Sequence, residues 1–256
     1  MSGALVKGAG VAAPLAPSRG GRQSLPLRPV QTCGFIARIM TKPRYLIAIA
    51  VVAVMGTTVV RAAPSRFEAG VFAELNRFRS DPAAYAEFLR DYRPRFEGKR
   101  LIGNDDSEID IMTREGVAAV DEAIRDLRRE RPLTELAWSD PLARAAADHV
   151  AVQSRSGAVG HYTKGRGPGE RMRARGGGPY VNEVITYGHH TPEGVVDQLL
   201  IDDGVPDRGH RHSLLRPTHR YAGIACGGHP VHRTMCVTLM SETPDGSPPP
   251  PPKRAR

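Results

Sequence analysis

Apolar side chains recur at helical spacing in several stretches of the chain. Val71, Phe72, Leu75 and Phe78 share one face of a helix that ends near Arg79, and Asp81-Pro82 then reads as an N-cap with a first-turn proline opening a second helix to about Leu89. A loop rich in Gly and Asp is expected over 98–110. Val117, Val120, Ile124 and Leu127 make a third apolar stripe, and Leu142, Ala145, Ala146, His149 and Val150 a fourth, opened by Ser139-Asp140-Pro141. Thr191-Pro192-Glu193 caps a fifth helix through about Ile201, with Val195, Val196, Leu199 and Leu200 facing inward.

Elsewhere the period changes. Val181 to Tyr187 reads as a strand, and two β-rich runs, Tyr221 to Cys226 and Thr234 to Ser241, flank Gly227-Gly228-His229-Pro230, whose composition predicts a hairpin turn. Residues 156–181 are rich in Gly and Arg and lack periodicity, so they read as a long loop, a feature that tends to carry function. The five prolines 248–252 and the basic residues after them read as an extended, solvated tail over 244–256.

The N-terminal 62 residues have a different character. Lys42 and Arg44 precede Tyr45 to Val60, an uncharged and mostly apolar run, and Val60-Arg61-Ala62 places small residues where a signal peptidase requires them. Residues 1–62 are therefore expected to be a leader and signal peptide, removed to leave a domain over 63–243, with translation starting at Met40. The apolar run is shorter than the ~20 residues of a membrane-spanning helix, so no transmembrane helix is expected after cleavage. The expected location is exported, either periplasmic or extracellular.

Charge sharpens this division. The formal net charge of +9 suggests a nucleic-acid binder. Yet residues 1–62 hold eight basic side chains and no Asp or Glu, three more basic residues lie in the last four positions, and residues 63–244 carry 25 basic against 26 acidic groups. The positive charge belongs to the ends of the chain, and no nucleic-acid partner is expected.

Export implies an oxidising compartment in which cysteines pair. Cys33 lies in the leader, leaving Cys226 and Cys236 to bridge the two strands of the expected hairpin, a loop whose closure is worth about 3 kcal/mol. The histidines point to chemistry. His161 and His210, with Glu183 in an otherwise apolar strand and Asp202 at the end of the fifth helix, form a candidate cluster, because an isolated Glu facing a core needs a partner. Such a set suits a divalent cation such as Zn²⁺, or equally a general-base pair activating water. The spacing follows no helical ligand pattern, and these alternatives stay open on the residues alone. Arg171, Arg173 and Arg175 read as a solvated basic run, His189-His190 as a solvated turn, and His212, His219, His229 and His232 as exposed loop or hairpin residues. Ser154 and Ser156 lack the context of a nucleophile.

Asn76-Arg77, Leu142 with Ala145-Ala146 and His149, Gly160-His161, Asn182-Glu183 and the run Ile201-Asp202-Asp203-Gly204-Val205-Pro206-Asp207-Arg208-Gly209-His210-Arg211 occur in the order seen in the CAP superfamily. That group comprises cysteine-rich secretory, antigen 5 and pathogenesis-related 1 proteins, also called SCP domains. The resemblance covers about 70 to 241, is similar to the bacterial exported branch, and is most specific from Gly209 to Ile224. It implies an α+β fold, a three-layer α-β-α sandwich with a central cleft. In that cleft His161 and His210 resemble the two family histidines, and Glu183 and Asp202 the two acidic residues. Asn182 stands where the family usually has Gly, and Asp202 is shorter than the usual Glu. The resemblance implies a binding or interaction module holding a divalent cation, Zn or Ca, with no organic cofactor, and a lipid, glycan or envelope component as partner. The alternative is a metal-assisted or general-base hydrolase, protease-like, with His161, Glu183 and His210 as the catalytic candidates.

Overall fold

Three helix starts are set by local chemistry. Ser65, Ser139 and Thr191 each accept, at the side-chain oxygen, a backbone N–H of the first turn, and Ser65 completes a capping box with Glu68. Prolines follow in the first turn after Ser139, Thr191 and Asp81, the last of which caps through Ala84 N–H. The helices are α1 (Arg66–Ser80), α2 (Pro82–Leu89), α3 (Val117–Leu127), α4 (Asp140–Ser156), α5 (Pro168–Ala174), α6 (Pro192–Ile201) and α7 (Gly209–Leu214). The computed structural model describes residues 63–103, 110–249 and 251. The expected signal peptide and the Met40 start lie outside the described residues, as does the basic end of the tail.

Four strands form the central sheet: β4 (Ala137–Trp138), β5 (Asn182–Tyr187), β6 (Tyr221–His229) and β7 (Arg233–Ser241). Their spatial order is β4-β6-β7-β5, with β4 parallel to β6 and the other pairs antiparallel. The strand period of two sends alternate side chains to opposite faces. Val184, Ala222, Ile224, Cys236 and Met240 face a layer built from α1, α2, α3, α6 and α7. Ile185, Ala225, Met235, Val237 and Leu239 face α4 and α5. The fold is therefore α+β, an α-β-α sandwich, as expected. No helix among the described residues is long and apolar enough to cross a membrane.

Close backbone approach joins α4 to the sheet. A Cβ on Gly223 would lie 2.1 Å from Ala143 N and 2.6 Å from both Leu142 C and Ser139 O, so only glycine admits α4 at this distance. Further along the same strand, a Cβ on Gly227 would meet Val150 Cγ1 at 2.7 Å. This corrects the expected hairpin: Gly227, with α4 against it, and Gly228 pair with Met235 and Thr234 in the ladder, and the chain turns at 230–232 instead. Cys226 and Cys236 face each other across the ladder and form the expected disulfide, with Cα atoms 4.1 Å apart.

Two further features depart from expectation. The expected 98–110 loop contains β2 (Arg100–Leu101), the central strand of a small antiparallel sheet with β1 (Phe96–Glu97) and β3 (Ile111–Met112). The ordered domain also runs past 243, because Asp245 and Gly246 carbonyls accept from Gly178 and Tyr180 N–H at 2.9 and 3.0 Å. The buried Arg79 fastens α1 to the far end of α7 by donating to the carbonyls of Thr134, Leu214, Arg216 and His219. Burial, with Arg220 nearby, pulls its pKa down to about 10.

Candidate functional site

Glu183, second in β5, has a side chain only 1% exposed. Its partners resolve the puzzle of a carboxylate in an apolar strand. His161 Nδ1 lies 3.0 Å from Oε1, and Arg171 donates to Oε2. Arg171 comes from α5, within the segment expected to be a loop, and it is buried rather than solvated. It also donates to the His161 carbonyl at 3.0 Å and the Arg166 carbonyl at 3.3 Å, so one guanidinium both neutralises Glu183 and closes the 161–166 loop over it.

Asp202 forms the second pair. It ends α6 in the left-handed conformation (φ 55°, ψ 43°), which an Asp tolerates better than most side chains. Its Oδ2 accepts from the N–H groups of His210 and Arg211 at 2.9 and 3.3 Å, and Oδ1 lies 2.6 Å from His210 Nδ1. The loop between Asp202 and His210 is pinned by Arg208, which chelates Glu115 and Glu122 with four bonds of 2.7–3.0 Å and donates to the Asp202 and Val205 carbonyls. Arg211 adds Glu122 and Asp126. Hydrogen bonds from Arg208 hold the Glu115 and Glu122 pKa values down to about 2.

The four predicted residues thus converge, as two imidazole–carboxylate pairs. The ring centroids of His161 and His210 are 6.5 Å apart and the planes tilt by 35°. In each pair a carboxylate oxygen accepts from Nδ1, which holds Nδ1–H toward the carboxylate and turns Nε2 away from it. This changes the four-ligand expectation of His161, Glu183, Asp202 and His210. The carboxylate oxygens stand behind the rings and are occupied by Nδ1, a guanidinium and amides. Among the described residues no group of three or more His, Cys, Asp or Glu is arranged to hold a metal ion. Nε2 of His161 and Nε2 of His210 take no hydrogen-bond partner among the described residues.

A second network fixes Gly160, next to His161. Its carbonyl accepts from His149 Nε2 at 2.8 Å and Gln153 Nε2 at 2.7 Å, and its N–H donates to the Tyr187 hydroxyl at 3.0 Å. Tyr187 donates in turn to Gln153 Oε1 at 2.9 Å. Burial lowers the His149 pKa and raises that of Tyr187, keeping both neutral. Gln153 and Tyr187 escaped the sequence reading, because each looks like an ordinary member of an element. Two histidines expected to be exposed are buried. His229 donates to the Ala158 carbonyl at 3.0 Å and accepts from His232 N–H at 3.1 Å, and His219 is pushed down to about 4 by burial with Arg216 and Arg79 nearby. His189 and His190 are half-buried rather than solvated.

Beside His210 and Asp202 opens a cavity of about 310 Å³. Tyr92, Phe96, Leu101, Ile111, Leu199 and Ile201 supply its apolar walls, so the small sheet and α6 together build an apolar recess, which His210, Asp202 and His189 also line.

Residues 122–240, which hold both pairs and the Gly160 clamp, match the family model for CAP, the Cysteine-rich secretory protein family. The chain carries a CAP domain. The CAP match begins within α3 and ends at the close of β7, so α1, α2 and the small sheet precede it. No curated protein matches the chain. Two solved structures are similar in part. An outer surface protein from Borrelia burgdorferi superposes with a TM-score of 0.37 at 18% identity, over 48% of this chain and 88% of that one. An extracellular protein containing a SCP domain from Bacillus anthracis str. Ames gives 0.35 at 17% identity, over 49% of this chain and 38% of that one.

Proposed function

We propose that this CAP domain works outside the cytoplasm as a binding module, its two imidazoles sharing one divalent cation beside the apolar cavity. The observation that carries the reading is the paired geometry: two buried carboxylates fix two Nδ1–H tautomers, and the rings stand 6.5 Å apart. Two imidazoles bound to one ion through Nε2 at 2.0–2.1 Å place their centroids about 5–6 Å apart, so a small closure suffices. Glu183 and Asp202 then act as the carboxylates that orient ligating histidines and raise their basicity. Imidazole donors favour an ion of the Zn²⁺ class over Ca²⁺, which takes six to eight oxygens, and the carboxylate oxygens here are already engaged. With two protein ligands, the remaining positions fall to water and to a polar group of the ligand. The apolar cavity favours a ligand with a hydrocarbon portion over a glycan. The disulfide fits folding in an oxidising compartment, which supports export.

Titration calorimetry with Zn²⁺ tests the cation site. The account expects one ion per chain, abolished by His161→Ala and His210→Ala and weakened about 10–100-fold by Glu183→Gln. Binding that survives both histidine variants would remove the reading. A hydrolytic second reading rests on the same pairs, since a carboxylate-oriented imidazole is also a general base. It requires turnover of an ester or peptide substrate that is lost with His210→Ala.

A further inference from the structure

The loop 157–166 and the hairpin turn 230–233 pack side by side at the end of the domain where His161 emerges. His229 Nε2 donates to the Ala158 carbonyl at 3.0 Å, and a Cβ on Gly157 would touch Val231 at 3.5 Å and Pro230 at 3.8 Å. Tyr187, beneath them, contacts both His229 and His232 at 5.2 Å between centroids. The two segments therefore form one surface.

Its composition is unusual in two independent ways. Five large apolar side chains stand out as exposed among the described residues, and three lie here: Val159 at 56%, Tyr162 at 70% and Val231 at 69%. Scattered singly such residues need no explanation, but three on adjoining tips do. The charge is also one-sided. No Asp or Glu occurs between Asp148 and Glu170 or between Asp207 and Glu242, whereas Arg155, Lys164, Arg166 and Arg233 are exposed and have no ion-pair partner among the described residues. Several cations elsewhere in the domain are paired: Arg175 chelates Asp148, Arg128 chelates Glu87 and Arg208 chelates Glu115 and Glu122.

We infer that this surface docks on an anionic lipid bilayer, with Val159, Tyr162 and Val231 entering the headgroup boundary and Arg155, Lys164, Arg166 and Arg233 meeting lipid phosphates. A soluble polyanion would complement the cations and leave the apolar tips in water; a bilayer interface complements both, and an amphipathic Tyr is suited to that depth. Docked this way, the domain brings His161, next to Tyr162 in the chain, toward the membrane. The inference does not require a cation at His161 and His210.

The test uses the full chain carrying Tyr162→Trp, read as the difference in emission from the parent. In the parent, Trp138 packs edge-on to Phe72 and bonds Asp140, away from the tips. Phosphatidylglycerol vesicles should shift the new emission to the blue, whereas pure phosphatidylcholine vesicles should not. Adding Lys164→Glu, Arg166→Glu and Arg233→Glu should raise the lipid concentration needed about 100-fold, while Arg90→Glu with Arg128→Glu on the α2–α3 side should change it less than about threefold. Adding His161→Ala with His210→Ala should leave the shift intact, which separates this surface from the cation site. An unshifted emission with phosphatidylglycerol overturns the inference, even where the basic ends of the chain hold the protein on the vesicle. So does a shift unaffected by the triple reversal. Tight binding of soluble polyphosphate, with no blue shift on vesicles, would assign the surface to a polyanion instead.

Discussion

Replacing Arg171 with Leu probes the account where fold and site meet. The guanidinium is the cationic partner of Glu183, and the two side chains are 6% and 1% exposed. Truncating one member of a buried ion pair leaves an uncompensated charge, which costs about 3–5 kcal/mol. Arg171 also supplies bonds to the His161 and Arg166 carbonyls, so the upper part of that range is expected. For a domain of this size each kcal/mol moves Tm by about 2–4 °C, giving a fall of roughly 10 °C or more in calorimetry or circular dichroism. The double variant Arg171→Leu with Glu183→Gln removes the stranded charge and should recover at least ~1 kcal/mol relative to Arg171→Leu alone. Two residues in direct contact are expected to be non-additive in this sense. A fall under about 1 kcal/mol in the single variant, or strict additivity in the double, would refute the claim that Arg171 neutralises Glu183.

Other outcomes follow from the same structure. Asp197 is buried, takes a 2.8 Å bond from Tyr85, and is pushed up to about 7 by burial, with its Tyr85 and Tyr92 bonds opposing. A carboxyl whose folded pKa is raised favours the folded state while protonated, so its contribution is lost as pH rises from about 4 to about 7. Asp197→Asn should therefore flatten that slope and raise Tm at pH 8, as denaturation against pH would show; an unchanged slope contradicts the assignment. The neutral buried His219 works in the opposite sense between about 4 and 6.5, where stability should rise with pH and His219→Gln should remove that rise. Opening the Cys226–Cys236 bridge by reduction should cost about 3 kcal/mol in chemical denaturation, less where the cross-strand ladder persists in the unfolded chain. Gly223→Ala should cost more than about 3 kcal/mol or prevent folding, because every atom that the new methyl meets is backbone; a fully stable variant would show that α4 can lift off β6.

Much of the architecture was legible because its signals are local. Asp81-Pro82, Ser139-Asp140-Pro141 and Thr191-Pro192 mark helix starts that the structure reproduces. The cross-strand disulfide follows from two cysteines either side of a turn. Pairing of Glu183 with a histidine was legible from the cost of burying an isolated carboxylate. What was missed depends on contacts distant in sequence or on very short elements. α5 has seven residues, with Met172 its only buried apolar side chain, and its trace in the sequence was Pro168 with Glu170 two positions later, whose carboxylate caps Gly167 N–H. Without that helix Arg171 could not be placed against a carboxylate 12 residues away. The two-residue strands β1 to β3 have no period to detect. The turn was misplaced because Gly227-Gly228 reads as turn chemistry until Val150 is seen against it. Arg208 shows the same limit: its partners Glu115 and Glu122 lie 93 and 86 residues earlier, in the loop before α3 and in α3 itself.

The central claim, that two carboxylate-oriented imidazoles share one cation, is met most directly by anomalous diffraction from crystals of the domain grown with Zn²⁺. The account predicts a single peak about 2.0–2.1 Å from Nε2 of both His161 and His210, with Glu183 and Asp202 still bonded to the Nδ1 atoms and water completing the shell. A peak ligated by the Glu183 or Asp202 oxygens, or density on only one ring, would contradict it.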